Sequence, residues 1–268
     1  MTDKKIIVQF TMLTFCIAYV VSGALITLGQ FGYSVYNWVH SLQQFGMNIP
    51  FAIYILSPAI ASYIVLKKNN KIADLKEWLK TVFYFKNKIP LYLFVVAGLS
   101  LYFLIHIAVS GRTEMVLQFY TFFLSLPGGL IIGGLEEAGW MYILQPELDK
   151  EYGFILSSIF TGIIWFFWHI PLFFIPGTNH GEGLINFWMF AVQLMAFRFF
   201  NGAIYKISGK GCVFMCVLFH TMFNAASPIF GTMTMTWVGT VVANAMIIIV
   251  SIVTVVMYNK KKEVIIQV

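Results

Sequence analysis

The sequence predicts an all-α, polytopic membrane protein with about eight transmembrane helices, and three observations support that prediction. Of its 268 residues, 59% are hydrophobic and only 10% are charged, and the mean hydropathy is +0.81. Soluble globular domains are about 45–50% apolar and about 25% charged, so these charges are too few to cover a water-facing surface. Long apolar stretches recur along the chain, with short lysine runs between them. The composition also excludes disorder, which needs low hydrophobicity, and nucleic-acid binding.

Eight apolar stretches approach the length of about 20 residues that a helix needs to cross the hydrocarbon core. We predict spans at 6–28, 49–66, 90–109, 130–148, 154–175, 184–207, 212–226 and 237–258. Residues 115–126 are also apolar and form either an outer-surface helix or an extension of the fourth span. Pro127, Gly128 and Gly129 favour a break there, because proline removes a helix hydrogen bond and glycine weakens a helix. We treat residues 1–268 as a single membrane domain.

The lysines and arginines predict the orientation of these spans. Alternate assignment of the loops places 15 of the 17 Lys and Arg residues on one side, with Arg112 opposite and Arg198 inside a span. Cytoplasmic loops are enriched in Lys and Arg, so both termini are predicted to be cytoplasmic. Residues 75–83 carry apolar side chains at helical spacing with lysines on the other face. This pattern predicts a helix in the headgroup layer or an ordinary loop helix.

Few ionisable side chains fall inside the predicted spans, and each is a functional candidate because a charge in hydrocarbon is costly. They are Glu136 and Glu137 in the fourth span, His169 in the fifth, Arg198 in the sixth and His220 in the seventh. A rise of about 1.5 Å per residue places Glu136, His169 and His220 about 15–20 Å from the predicted cytoplasmic ends. We therefore expect three helices to bring these side chains together.

The residue types favour a mechanism in which a carboxylate accepts a proton and an imidazole and an amide stabilise an oxyanion. Adjacent glutamates project about 100° apart on a helix, so Glu136 and Glu137 are expected to face different partners, one of them a cavity. His220 and Asn224 are four residues apart and share a helix face, where an imidazole and an amide can donate to one oxygen, as in an oxyanion hole. The structural alternative is a carboxylate pair neutralised by Arg198 or by protonation.

The three cysteines suggest no disulfide framework, because Cys16, Cys212 and Cys216 all lie in apolar stretches. Cys216 lies four residues before His220, so a cysteine–histidine dyad is a second interpretation. We rank it below the carboxylate mechanism, since cysteine packs readily as a small apolar residue and only His220 would activate this thiol. The polar loop 177–183 is interpreted as a connector.

Three short motifs in this order resemble those of the CAAX prenyl protease and bacteriocin-processing family of intramembrane endopeptidases, also called the Abi family. They are LEEAGW at 135–140, WFFWHIPLF at 165–173 and HTMFN at 220–224. The family pattern is Glu-Glu-x-x-x-Arg, aromatic-x-x-x-His and His-x-x-x-Asn on successive helices of an eight-helix membrane fold. Residues 115–226 would therefore contain the protease core.

The resemblance implies a division of roles. Glu136 and His169 would activate a water molecule, and His220 and Asn224 would stabilise the oxyanion formed on the scissile carbonyl, while Glu137 would orient its neighbours. No cofactor is required by this chemistry, because an activated water and an oxyanion hole suffice for peptide hydrolysis. A zinc ion held by Glu136, His169 and His220 is chemically reasonable but not favoured.

One position departs from the family pattern. Met141 stands where the family has arginine, four residues after Glu137, so the i,i+4 ion pair cannot form. We hypothesise that Arg198 is the charge partner that replaces the missing arginine. The alternative for Arg198 is a side chain that snorkels toward the cytoplasmic headgroups.

The leading interpretation is a CAAX-protease-like intramembrane endopeptidase that cleaves a membrane-associated or lipidated peptide, in contact with the lipid bilayer and with no nucleic-acid partner. We expect it in the cell membrane of a bacterium as a multi-pass protein. The alternative is a non-catalytic bacteriocin-immunity or scaffold protein that retains the fold. A transporter is disfavoured, because the sequence has no repeated half and no pair of broken helices.

Overall fold

The computed structural model describes residues 2–37, 39–110, 117–230 and 236–267. These residues form helices joined by turns, with no strand among them, so the predicted all-α membrane class is confirmed. Arg112, the cation assigned to the outer side, lies outside the described residues, as do positions 115 and 116 of the predicted protease core.

Eleven α-helices are assigned in the described residues. They are α1 Lys4–Gly29, α2 Leu42–Ile55, α3 Ser57–Lys68, α4 Leu75–Val82, α5 Ile89–Ser110, α6 Thr121–Ile131, α7 Glu137–Gly139, α8 Gln145–His169, α9 Phe187–Ser208, α10 Cys212–Phe230 and α11 Trp237–Gln267. Short 3₁₀ turns precede α7, follow α8 and join α9 to α10, and a π-helical turn joins α7 to α8.

Five helical segments in the described part of the chain are long and apolar enough to cross a membrane, or six if the bent pair of α2 and α3 is one span. Two of them, Thr121–Phe174 and Phe187–Phe230, contain 54 and 44 residues, far more than the roughly 20 that a bilayer requires. The first is interrupted by two glycines with positive φ, Gly133 and Gly153, and the second by one, Gly209. Gly153 and Gly209 lie between predicted spans, while the count of eight and the cytoplasmic termini remain predictions.

The second predicted span, 49–66, is bent rather than straight. α2 and α3 meet at Leu56 with an angle of 54° between them. Pro58 lies in the first turn of α3, where a missing N–H is tolerated, but the same residue cannot continue the hydrogen-bond ladder of α2. The bend therefore follows from the position of this proline.

The bend is attached to the end of α8 by one tryptophan. The Tyr54 hydroxyl donates to the Trp168 carbonyl oxygen at 2.8 Å, and the Trp168 indole N–H donates to Ser57 Oγ at 3.0 Å. The rings of Tyr54 and Trp168 are also stacked, with centroids 5.0 Å apart. We call these contacts the Trp168 clamp.

The break in the fourth predicted span is not at residues 127–129, so that expectation was wrong. α6 passes through Pro127 and ends at Ile131, and the helical backbone is interrupted at Gly133, whose φ is +131°. Membrane helices tolerate an internal proline where neighbouring groups satisfy the freed backbone. Here α6 packs closely on α10, and Gly129 lies against the Thr221 backbone oxygen.

A run of short helical turns follows Gly133 and positions both glutamates. Residues 134–144, which we call the glutamate segment, form a 3₁₀ turn, α7 and a π-helical turn in succession. Gly139 within it allows α7 to approach α3, because a methyl group at Gly139 would lie 2.6 Å from the Pro58 carbonyl oxygen. Such irregular backbone is typical of functional positions in membrane proteins, where it is buried in protein.

The predicted helix over residues 75–83 is confirmed as α4. Trp78 and Val82 are buried, and the Trp78 indole N–H donates to Ser62 Oγ at 3.0 Å. Leu75 and Leu79, on the same apolar face, are 50% and 40% exposed. One part of the apolar face of α4 is therefore buried in the protein, and the other part, at Leu75 and Leu79, is exposed.

Ion pairs gather several lysine-rich segments at one end of the bundle. Lys4 pairs with Glu151 at 3.2 Å, and Lys71 pairs with Asp3 at 3.6 Å. Exposed pairs of this kind contribute little to stability, about 0–1 kcal/mol each. They show that the N-terminus, the loop after α3 and the turn at Gly153 lie together, as their assignment to one side of the membrane requires.

Candidate active site

The two glutamates face different partners. Glu136 is 3% exposed, and its Oε2 accepts a 2.8 Å hydrogen bond from the Trp165 indole N–H. Glu137 is fully buried and accepts hydrogen bonds from Arg198 on both of its oxygens. The angular separation expected for adjacent residues is therefore present, although the backbone here is not a regular α-helix.

Arg198 forms a bidentate ion pair with Glu137. Its Nη1 donates to Oε2 at 2.8 Å and its Nη2 to Oε1 at 2.5 Å. The side chain is fully buried, with its guanidinium carbon 3.7 Å from the centre of the Trp165 ring. The planar guanidinium suits both contacts, because it can bond a carboxylate in parallel and stack on an aromatic face at once. Arg198 does not snorkel to the headgroups.

Trp165 lies at the centre of the site. Its ring centroid is 4.6 Å from that of His169 and 5.7 Å from that of His220. The same indole donates to Glu136 and supports the Arg198 guanidinium. The Trp165 side chain thus contacts one residue of each motif, namely Glu136, His169 and His220, and also Arg198 from α9.

The hydrogen bond of His169 fixes its tautomer. Nδ1 lies 2.9 Å from the Trp165 carbonyl oxygen, and a carbonyl oxygen can only accept, so Nδ1 carries a proton. In the neutral ring, Nε2 is then an acceptor. The rings of Trp165, Trp168 and Phe190 contact His169 edge to face and hold its orientation.

His220 and Asn224 meet at the break before the glutamate segment. His220 Nδ1 lies 2.8 Å from Glu137 Oε1 and donates to it, and Asn224 Nδ2 donates to the Ile132 carbonyl oxygen at 2.5 Å. A methyl group at Gly133 would lie 2.8 Å from His220 Nε2 and closer still to Asn224 Nδ2. Gly133 therefore permits both side chains to converge on the same point.

The cysteine dyad is not formed. Cys216 is buried, and its Sγ donates to the Asn201 carbonyl oxygen at 3.4 Å. His220 uses the nitrogen nearest the backbone, Nδ1, to bond Glu137 instead. A metal centre is not favoured by the donor geometry either, since no three His, Cys, Asp or Glu side chains in the described ranges are placed to hold an ion together.

Two contacts of the site were missed by the sequence analysis. Trp165 was noted only for its spacing from His169, and the loop 177–183 was interpreted as a connector. In the structure His180 packs against Phe190 with ring centroids 4.7 Å apart, and Phe190 in turn contacts His169 at 5.1 Å. Burial lowers the pKa of His180 to about 4, so this loop presents a neutral imidazole beside the site near pH 7.

The sequence-predicted residues are therefore brought together. The residues that contact the Trp165 indole are Glu136, His169, His220 and Arg198. Glu137 bonds Arg198 and His220, and Asn224 meets His220 beside Gly133. Their chemical roles remain predictions.

Comparison with known proteins identifies relatives of this arrangement. Residues 117–226 match the family described as Rce1-like, type II CAAX prenyl endopeptidases. CAAX prenyl protease 2 of Methanococcus maripaludis is 23% identical over 184 residues, which are 63% of this chain and 68% of that protein. The matched family segment contains all three motifs, so the resemblance stated from the sequence is confirmed.

Proposed function

We propose, on the premise that this chain is a member of the CAAX prenyl endopeptidase family, that it hydrolyses a peptide bond in a membrane-associated or lipidated peptide. The observation that supports this most directly is the convergence on Trp165 of Glu136, His169 and His220 from three separate segments. A structural membrane protein has no need for three ionisable side chains around one buried indole, because each is costly to bury.

In this proposal, Glu136 and His169 activate the attacking water. The Trp165 indole occupies Glu136 Oε2 and leaves Oε1 available as an acceptor. His169 presents Nε2 as its second acceptor, because Nδ1 donates to the Trp165 carbonyl. A water molecule between these two acceptors would be oriented by both and would lose its proton to Glu136 as it attacks, which is general base catalysis.

His220 and Asn224 stabilise the oxyanion in the same scheme. Asn224 has one amide hydrogen engaged by Ile132 and one left for the substrate oxygen. His220 donates through Nδ1 to Glu137, so its Nε2 can donate only when the ring carries both protons. Glu137 favours that state, because its carboxylate accepts from Nδ1 and lies beside the imidazolium, whose Nε2 proton then faces the oxyanion.

Arg198 serves as the charge partner of Glu137, because Met141 occupies the position where the family pattern has arginine. Its bidentate contact keeps Glu137 oriented toward His220, and its stacking on Trp165 keeps that indole directed at Glu136. We therefore assign Arg198 a positioning role and not a contact with substrate.

The substrate class follows from the surroundings of the site. The three motifs lie within segments that are long and apolar enough to cross a membrane, so a peptide must enter from the bilayer or from its surface. The archaeal relative is named as a CAAX prenyl protease, and we extend this to a lipidated or membrane-bound peptide here. A bacterial plasma membrane is the proposed location.

The proposal is tested with purified protein in lipid nanodiscs and a panel of fluorogenic lipidated and membrane-spanning peptides. Glu136→Gln and His169→Ala are each expected to reduce turnover by at least about a hundredfold, the range in which single acid–base groups act. His106→Ala is the matched control, because His106 is equally buried on α5 but lies outside the three motifs.

Two outcomes would change this assignment. Equal residual signals from the wild type and both variants would favour a non-catalytic immunity or scaffold protein. Loss of turnover on treatment of the wild type with a chelator, reversed by zinc, would show that hydrolysis needs a metal ion.

A further inference from the structure

Half of the unpartnered buried polar side-chain atoms in the described residues belong to one line between α8 and α9. Twelve such atoms occur in the described ranges, and six of them are in this line. They are Asp149 Oδ1, Gln145 Oε1, Thr161 Oγ1, Arg198 Nε and both amide atoms of Asn201. Buried polar groups almost always have a hydrogen-bond partner, and where the protein offers none the partner is ordered water.

The outer end of the line reaches the protein surface. Asp149 and Lys206 form an ion pair there, with the Lys206 side chain 31% exposed and the Asp149 side chain 10% exposed. Asp149 Oδ2 takes part in that pair, and Oδ1 points away from it without a protein partner. This end is reached by solvent at Lys206, whose positive charge lies beside the negative charge of Asp149.

In the middle of the line, α9 packs closely on polar side chains of α8 at Gly202. Gln145 Nε2 donates to Ser158 Oγ at 3.0 Å, which leaves Gln145 Oε1 unpartnered. A methyl group at Gly202 would lie 2.9 Å from the Phe154 ring and 3.1 Å from Gln145 Nε2 and Ser158 Oγ, so glycine lets α9 lie close to these groups. Thr161 follows Ser158 by three residues and precedes Trp165 by four, so its hydroxyl continues the same face of α8 toward the site.

The inner end reaches the ion pair of the candidate active site. Asn201 lies three residues after Arg198 on α9 and is fully buried with both amide atoms free of protein partners. Arg198 uses its two terminal nitrogens on Glu137 and leaves Nε unpartnered. Arg198 and Lys206 are eight residues apart, so the line is about 12 Å long at the rise of an α-helix.

We propose that this line binds a file of ordered water molecules that connects the solvent beside Lys206 with the Glu137–Arg198 pair. The mixture of groups identifies water as the ligand. Arg198 Nε is a donor, Gln145 Oε1 and Asp149 Oδ1 are acceptors, and Asn201 and Thr161 offer both. A cation would need acceptors alone and an anion would need donors alone, whereas water satisfies donors and acceptors together.

The file has a use in turnover that rests on the proposed peptidase function. Each hydrolysis consumes one water molecule, which must reach the buried site from solvent. A hydrogen-bonded file that ends at Arg198 Nε, beside Glu137, supplies such a route. The presence of the file itself does not depend on that function.

X-ray hydroxyl-radical footprinting of the intact protein in nanodiscs tests the file without any substrate. X-rays form hydroxyl radicals from the bound water molecules themselves. Oxidation of Cys216 reports these radicals, because its thiol contacts the Asn201 backbone oxygen. We expect Cys216 to be oxidised in the wild type and protected in Asn201→Leu and Thr161→Val. Asn244→Leu and Thr14→Val are matched controls, since both residues are buried with an unpartnered oxygen but lie on α11 and α1.

Turnover provides the second readout. Thr161→Val, which removes one hydroxyl and keeps the shape of the side chain, is expected to lower kcat about tenfold with KM unchanged, whereas Thr14→Val leaves both constants unaltered. If the wild type shows Cys216 oxidation but no peptidase activity, the water file stands and the proposed function fails. If Cys216 in the folded wild type resists oxidation, or is oxidised equally in Thr161→Val, the file is refuted whatever the activity.

Discussion

At the scale of single residues, two side chains organise the motifs. Arg198 holds Glu137, which bonds His220, and Trp165 holds Glu136 while its backbone fixes His169. Arg198 and Glu137 are 61 positions apart in the sequence, and Trp165 and Glu136 are 29 positions apart. A buried ion pair is not by itself a source of stability, so its value here is the orientation that it imposes.

Loss of the guanidinium should damage both stability and turnover. Arg198→Gln leaves Glu137 buried with His220 as its remaining partner, and removal of one member of a buried pair costs about 3–5 kcal/mol. We expect a lower unfolding temperature in nanodiscs and little residual activity. Addition of Met141→Arg to this variant should restore part of both, because it places a cation four residues from Glu137. If Arg198→Gln were folded and active while Glu137→Gln was not, Arg198 would not be the charge partner.

The indole hydrogen bond can be tested apart from the ring. Trp165→Phe keeps an aromatic ring beside Arg198 and His169 but removes the donor to Glu136, which releases the carboxylate from its fixed direction. We expect kcat to fall about ten- to a hundredfold with a stability loss of about 1 kcal/mol. Trp78→Phe removes another buried indole donor, whose acceptor is Ser62 and which lies outside the site. A similar fall in kcat in both variants would argue against a special role for Trp165.

The sequence was sufficient to select the candidate residues but not their partners. Glu136, His169 and His220 stand out because ionisable groups are rare in apolar spans. The pairing of Arg198 with Glu137 was a hypothesis, since a snorkelling arginine has the same local sequence pattern. Trp165 carries no charge and resembles any aromatic core residue, so only the packing of distant helices reveals its contacts.

At the scale of elements, the interruption at Gly133 decides how the site is assembled. The sequence suggested residues 127–129 because proline and glycine weaken helices. The observed break depends instead on Asn224, whose amide donates to the Ile132 carbonyl from 92 positions away. A local pattern cannot show that long-range hydrogen bond. The bend at Leu56 differs, because it has a local cause in Pro58.

Substitution at this break should abolish activity through contact and not merely through backbone strain. Gly133→Ala introduces a methyl group against His220 and Asn224 at a positive φ that alanine disfavours. Gly153→Ala shares the positive φ but has no atom within 4 Å of the new methyl group. We expect turnover to fall at least about a hundredfold in the first variant and within about threefold in the second. Equal losses of turnover would assign the effect to strain alone.

At the scale of the whole molecule, the lysine-rich loops and the ion pairs identify one end of the bundle. The composition and the charge distribution were enough to predict a polytopic membrane protein. The exact number of spans was harder to fix, because the turns at Gly153 and Gly209 are short and lie within continuous apolar sequence.

Topology reporters test the predicted orientation. Green fluorescent protein fused after residue 268 is expected to fluoresce in a bacterial host, since both termini are predicted to be cytoplasmic. Alkaline phosphatase inserted in the loop 177–183 is expected to be active, because that loop is predicted on the other side. The reverse pattern of signals would contradict the predicted arrangement of eight spans with cytoplasmic termini.

The Trp168 clamp couples a distant bend to the imidazole that follows it in sequence. Both polar groups of Trp168 are held by residues on either side of Leu56, and His169 is the next residue along the chain. A compound that changed the angle between α2 and α3 would break these hydrogen bonds of Trp168 and so disturb the orientation of His169. Compounds that bind at the junction of α2 and α3 are therefore expected to inhibit the proposed peptidase without competing with its substrate.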